Sequence, residues 1–425
     1  MKKIIIIGGG FAGLNLAKDT TNKAYEITLV DKNNYVFFPP LLYQVATGFL
    51  EPSNISYPFR KLLRDKKNVN FVNGELLKIE ANQKKVILST CELTYDYLVF
   101  ATGTVTNYFG MKNVQKNAIP MKTLNDALEM RNFLLQQIEE ATRLLDNKKK
   151  LKEKLTIVVA GGGPTGVEIS GMLAELRKTV FKKDYPEFNK HPFKAHIYLV
   201  DGSAQLLSPM SKKAQESTLI DLKKLGVKVY LNTQVTDFSN QKVLLSNGKI
   251  IETENLIWAA GVTTQQFEGI PSDCFGRGKR LQTNGYNAIE NLENCYAIGD
   301  NSIQLTDKNF PDGHPQVAQV ALQQAKNLAK NFDQLANGKP LKEFSYVDKG
   351  SMAIIGRNKA VADLPKNLHF KGFFAWFIWV FVHLISLMHY RNKMATFYNW
   401  SIAYFTKDHD LRMIIRPNAP NKDNS

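Results

Sequence analysis

Short, mostly apolar runs rich in β-branched residues recur along the chain and alternate with longer stretches of helical spacing. Residues 3–7, 26–30, 156–160 and 196–200 each read as a strand buried on both faces, the mark of a parallel sheet sandwiched by helices. The pattern predicts a doubly wound α/β fold. It also repeats at long range. Residues 3–7 lead into Gly8-Gly9-Gly10-Phe11-Ala12-Gly13, and residues 156–160 lead into Gly161-Gly162-Gly163-Pro164-Thr165-Gly166. Further on, an apolar run ending in Ala101-Thr102-Gly103 closes the first half, as one ending in Ala259-Ala260-Gly261 closes the second. The echo is far longer than the roughly 20 to 50 residue period of a solenoid. Two copies of one nucleotide-binding architecture are expected.

Between the copies, residues 126–145 carry helical spacing and end in the solvated run Lys148-Lys149-Lys150, while residues 177–194 read as a basic insertion. The C-terminal region breaks the pattern. Residues 372–390 contain no Asp, Glu, Lys or Arg, and Trp376, Trp379 and Trp400 lie within or just beyond them. About 20 apolar residues cross a bilayer, so length alone permits a span. His383, His389, Arg391, Lys393 and a second aromatic stretch at 395–405 favour helices lying in the headgroup layer instead, with a packed dimer interface as the alternative. Residues 417–425 are polar and expected to fray.

Composition narrows the class. A chain of 425 residues suggests two or three domains, and 44% hydrophobic with 22% charged residues excludes collagen-like, coiled-coil and wholly disordered chains. Three cysteines, Cys91, Cys274 and Cys295, are too few and too scattered for a disulfide framework, and no metal-ligand spacing occurs, so no metal is expected. The net charge of +16 implies attraction to a polyanion. No nucleic-acid-binding signature accompanies it, so an anionic lipid surface is the simpler partner. Met1-Lys2-Lys3 runs straight into the first strand, so no targeting segment is expected.

The glycine motifs carry the chemistry. In a strand–turn–helix, the first Gly of GxGxxG makes the tight turn, the second lets a pyrophosphate approach, and the third permits close packing. Gly8, Gly10 and Gly13 fit, as do Gly161, Gly163 and Gly166. Asp31 closes the next strand in the first copy, where a carboxylate would accept ribose hydroxyls. Asp201 does so in the second, 35 residues past Gly166, an excess attributed to the basic insertion. A carboxylate at 201 would repel a 2′-phosphate, favouring NADH over NADPH. Glu168 is expected in the first turn of a phosphate-facing helix, near the nicotinamide or its ribose. Residues 295–299 form an apolar strand delivering Asp300. Pro315 then pre-sets a helix start, and Gln319 and Gln323 follow on one helical face.

Two Gly-rich turns with that closing Asp300 resemble the two-dinucleotide-binding flavoproteins. Ala318 to Gln323 matches AQxAxQ, and with Pro40-Leu41-Leu42-Tyr43, Lys349-Gly350 and residues 372–384 it resembles the type II, non-proton-pumping NADH:quinone dehydrogenases over nearly the whole chain. The resemblance implies a glutathione-reductase-like fold of two Rossmann-like domains plus a C-terminal amphipathic membrane-anchoring region. It places FAD on Gly8, Gly9, Gly10, Phe11, Ala12, Gly13, Asp31, Lys32, Leu76, Thr102, Gly103, Asp300, Ala318 and Lys371. It places NADH on Gly161, Gly163, Pro164, Thr165, Gly166, Glu168, Asp201 and Gly261, with Glu168 as the catalytic residue, and quinone on Gln319, Gln323 and Lys349. The implied domains are 1–125 and 269–345 for FAD, 126–268 for NADH and 346–425 for anchoring. A peripheral homodimer on the cytoplasmic face of the membrane is expected, passing hydride from NADH to FAD and two electrons to a membrane quinone. The alternatives are an NADH-sensing flavoprotein with a binding or regulatory role and another flavin reductase of the superfamily. Disulfide reductases and sulfide:quinone reductases need paired redox cysteines that this sequence lacks.

Overall fold

The computed structural model describes residues 1–190, 196–406 and 411–415, so the expectation for 417–425 lies outside the described residues. The chain divides into two compact units. Met1–Phe37, Ser56–Val105 and Val262–Lys349 form the first; Phe38–Ile55, Thr106–Gly261 and the C-terminal region from Gly350 form the second.

Each unit is built on a five-stranded parallel sheet, and the two share the order of four strands and differ in one edge strand, which comes last in the chain in the first sheet and first in the second. In the first, Lys2–Ile7 lies between Tyr97–Phe100 and Tyr25–Asp31, with Cys295–Ala297 and Val69–Asn73 at the edges. In the second, Ile157–Ala160 lies between Asn255–Trp258 and Ile197–Val200, with Ile119–Pro120 and Val227–Tyr230 outside. The central strands are continuous apolar runs because both faces are covered, and Ile4 to Ile7 are all buried. Each unit also carries a three-stranded antiparallel meander, Leu76–Glu80 with Lys85–Leu88 and Glu92–Thr94 in the first, and Val235–Ser239 with Lys242–Leu245 and Ile250–Glu252 in the second. The echo read from the sequence is therefore a duplication of topology.

Lys148-Lys149-Lys150 is exposed, as a solvated run should be, and it opens the helix Lys148–Leu155, whose N-cap Asn147 accepts the Lys150 N–H at 3.1 Å. Other expected features sit differently. The stretch 177–194 is not simply an insertion. The helix that follows the second glycine turn runs unbroken as Pro164–Asp184, 21 residues against nine for its counterpart Phe11–Asp19, and this accounts for much of the long spacing to Asp201. Residues 191–195 lie outside the described residues. Pro315 does not start a helix, because the helix Ala318–Ala336 begins three residues later.

In the second unit an antiparallel sheet, Ser351–Gly356, Lys359–Leu364 and Leu368–Lys371, supports the helix Gly372–Ser386. That helix buries Ala375 and Trp379 and turns Phe374, Phe377, Phe381 and Ile385 outward. The helix Tyr390–Thr406 is held by Asn392, whose Nδ2 donates to the carbonyls of Ser53 and Asn54 at 2.9 and 3.0 Å. No helix among the described residues is long and apolar enough to cross a membrane.

Candidate functional site

The two glycine turns are built alike. Gly8 has φ +102° and Gly161 φ +111°, and a Cβ on either would lie 2.3 Å from the carbonyl oxygen of Ala101 or Ala259 on the adjoining strand. Only glycine fits there. At Gly10 and Gly163 the geometry is the reverse: a Cβ would meet no described atom within 4 Å, so each helix N-terminus faces open space. Unsatisfied N–H groups and the positive end of the dipole point into that space, and this suits a pyrophosphate. Asp31 Oδ2 accepts the Gly9 N–H at 2.7 Å and Oδ1 the Asn33 N–H at 2.8 Å. Asp201 is held the same way by Gly162 and by Ser203 at 2.6 Å. One backbone bond per oxygen leaves lone pairs for ribose hydroxyls. Burial pushes the Asp31 carboxyl up, against the pull of these bonds and of Lys32.

The first unit gathers the remaining residues assigned to FAD apart from Lys371. Thr102 Oγ1 accepts from Asn301 Nδ2 at 3.2 Å, Gly103 is left-handed at φ +64°, and Leu76 is buried at the start of its meander. Asp300 sits in a 3-10 turn, Gly299–Asn301, rather than on the strand itself. Its turn is fixed by a residue that the sequence reading overlooked. Gln324, fully buried, accepts the Gly299 N–H at 2.7 Å. Its place one residue past Gln323, on the core-facing side of an amphipathic helix, was the available signal. Arg280, largely desolvated, is drawn electrostatically to Asp300.

Ala318 opens the helix that carries both proposed quinone glutamines, and each glutamine is engaged with a neighbouring backbone segment. Gln319 Oε1 accepts the Lys349 N–H at 3.0 Å. Gln323 Oε1 accepts the Val347 N–H at 3.1 Å, while its Nε2 donates to the Val347 carbonyl at 2.9 Å. The three residues assigned to quinone, Gln319, Gln323 and Lys349, therefore form one hydrogen-bonded patch.

In the second unit Glu168 departs from its expected position. Pro164 takes the first helical place, so Glu168 falls in the second turn, and no acidic residue occupies the first. Its side chain is buried, with Oε1 3.5 Å from the Ile354 N–H, and burial raises its pKa well above the usual carboxylate range. Glu168 lines a cavity of about 470 Å³ with Glu175, Gln44, Trp376, Trp379 and Trp400. Gln44 links two aromatic residues, donating to Tyr43 Oη at 2.9 Å and accepting from Trp400 Nε1 at 2.7 Å. Tyr43 is itself pushed far up, by burial and then by the charge of Glu168. Beside them the His383 ring stacks on Trp379, centroids 4.0 Å apart, and burial lowers its pKa to about 4. Lys371 is exposed at the end of its strand. Gly261 follows the strand that closes the sheet, and its carbonyl accepts the Asn107 N–H.

Comparison with known proteins covers both glycine turns and the C-terminal region. Residues 2–325 match the pyridine nucleotide-disulphide oxidoreductase family, and residues 349–409 match the NDH2 C-terminal domain. A type II NADH:quinone oxidoreductase of Mycobacterium tuberculosis is 35% identical over 422 residues, covering 95% of this chain and 87% of its own length. One from Haemophilus influenzae is 31% identical, covering 89% and 92%. NDH2 from Plasmodium falciparum, solved with NADH, shares the fold at a TM-score of 0.87 and 24% identity, over 98% of this chain and 100% of that one. The duplicated crevices and the matched C-terminal region together place the chain among the type II NADH:quinone oxidoreductases, within the pyridine nucleotide-disulphide oxidoreductase superfamily.

Proposed function

We propose that FAD is held by the first unit and NADH by the second, and that electrons leave to a quinone drawn from a lipid surface. The observation that carries this reading is the repeated crevice, an open glycine at a helix N-terminus beside a strand-end carboxylate, at Gly10 with Asp31 and at Gly163 with Asp201. Bound FAD supplies the redox chemistry, accepting a hydride from NADH and yielding two electrons to quinone. The protein's own groups bind and orient. The helix N-termini after Gly10 and Gly163 take the pyrophosphates, and Asp31 and Asp201 take the ribose hydroxyls. Asp300, in a turn whose Gly299 N–H is held by the buried Gln324, and drawn to Arg280, anchors the middle of the flavin nucleotide.

Burial favours the protonated form of Glu168, against the weak pull of the Ile354 N–H on Oε1. A carboxyl of this kind, lining a Trp-rich cavity, is suited to proton transfer during turnover. Gln319 and Gln323 fix the backbone of 347–349 and so present Lys349 to the acceptor.

The outward row Phe374, Phe377, Phe381 and Ile385, with Phe397 and Phe405 on the following helix, supports monotopic attachment to a lipid surface, taken here as the cytoplasmic one because that side supplies NADH. A homodimer, as expected from the family resemblance, completes the reading. The experiment is an absorption spectrum of the purified protein before and after NADH, followed by menaquinone and ubiquinone analogues. A flavin band bleached by NADH and restored by a quinone supports it. A colourless protein that takes up no FAD, or a reduced one that no quinone reoxidises, overturns it.

A further inference from the structure

In the second unit, away from the glycine turn and from Glu168, lies a small cavity of about 80 Å³. A single water needs about 10–15 Å³ on this scale, so the space holds several waters or one short organic molecule. Its walls are mostly apolar, with Leu134, Ile138, Leu155 and Leu173 among them. One side is cationic. Arg131, on the helix Leu124–Ala141, is 3% exposed, and its Nε and Nη1 are buried without a hydrogen-bond partner among the described residues.

The other cations on the wall are engaged. Lys154 pairs with Glu140 at 2.7 Å and Glu254 at 2.6 Å, and Arg412 pairs with Asp184 at 2.6 Å. Arg177 donates to the Leu225 carbonyl at 3.2 Å. Two guanidinium nitrogens sealed from water with their donors unused are costly, and such a group is kept when an anion completes it. Gly48, at φ +73°, lets the chain pass close to the Arg131 stem, its Cβ position 4.0 Å from Arg131 Cδ.

We infer that this cavity is a binding site for a short aliphatic carboxylate, its head on the Arg131 guanidinium and its chain against the leucines. The carboxylate supplies the acceptors that Arg131 lacks, and the apolar wall excludes fully hydrated anions such as phosphate.

The test uses the full-length, FAD-loaded chain in detergent, with hexanoate as the probe. Isothermal titration is expected to give saturable one-to-one binding of hexanoate, with hexanol and inorganic phosphate binding at least ten-fold more weakly. Arg131→Met is expected to lose that binding, and its melting temperature to stop responding to hexanoate. Should that variant fail to fold, Leu134→Phe, which fills the cavity and leaves Arg131 in place, is expected to weaken hexanoate binding at least ten-fold. No saturable binding to the unaltered chain overturns the proposal. So does hexanol binding as tightly as hexanoate, phosphate binding as tightly, or full retention of hexanoate by either folded variant.

Discussion

Asp201 accepts a hydrogen bond from the backbone N–H of Gly162, although the two residues are 39 positions apart. The contact ties the strand-end carboxylate to the glycine turn, and on the proposed reading its charge meets a 2′-phosphate there. Asp201→Ala is expected to raise KM for NADH by about ten-fold, the loss of one charge-assisted hydrogen bond worth about 1.5 kcal/mol. The same change should narrow the preference over NADPH. An unchanged ratio of kcat/KM for the two nucleotides would remove Asp201 from the site.

Gly8 and Gly10 should fail in different ways. A side chain at Gly8 would strike the Ala101 carbonyl from a left-handed backbone, so Gly8→Val is expected to prevent stable folding. Gly10 has an ordinary φ of −69° and open space, so Gly10→Val should fold with native circular dichroism and yet purify without flavin. A yellow Gly10→Val protein would mean that the cofactor does not use this turn.

The buried Glu168 makes a signed contribution to stability. Its pKa is raised in the folded state, so below about pH 4.5 both folded and unfolded chains carry the proton and no penalty arises. As the pH climbs past that point the unfolded chain releases its proton first, and stability falls until the folded carboxyl also titrates. Glu168→Gln should flatten this decline, giving a variant more stable than its parent above neutrality and slower in quinone reduction. Thermal melts from pH 5 to 8 read the effect, and parallel curves for the two proteins would contradict it.

Replacing Gln319 and Gln323 with leucine removes the bonds that hold Val347 and Lys349. The expected cost is about 0.5–1.5 kcal/mol of stability, since these backbone groups are exposed and exchange their lost partners for water. In stopped-flow measurements, flavin reoxidation by quinone should slow more than flavin reduction by NADH. Equal slowing of the two half-reactions would make these glutamines structural only.

Cutting the chain after Pro365 is a poor test of attachment, because it strips the strand Leu368–Lys371 and buried Trp379 from the second unit. Exchanging Phe374, Phe377 and Phe381 for glutamine alters only the outward row of the helix. This triple variant should keep its flavin and lose most of its co-sedimentation with anionic vesicles, each fully buried Phe being worth about 1.5–3 kcal/mol. Undiminished sedimentation would assign that row to another partner.

What the sequence determined alone was whatever depends on local backbone requirements and strand burial. Glycine at the turns, the apolar parallel strands, the strand-end acids and the duplication follow from which residue types each position tolerates, and these are visible as runs and spacings. The tertiary structure decided what depends on rotation and neighbours. Glu168 lies one residue past the first helical turn, and that rotation aims it at Ile354 and a Trp-lined cavity rather than at the phosphates. Gln324 outranks its neighbour in fixing the Asp300 turn because its side of the helix faces inward. No periodicity reports that Arg131 Nε and Nη1 are buried without an acceptor among the described residues, since their isolation comes from helix and tail segments distant in sequence that line the same cavity.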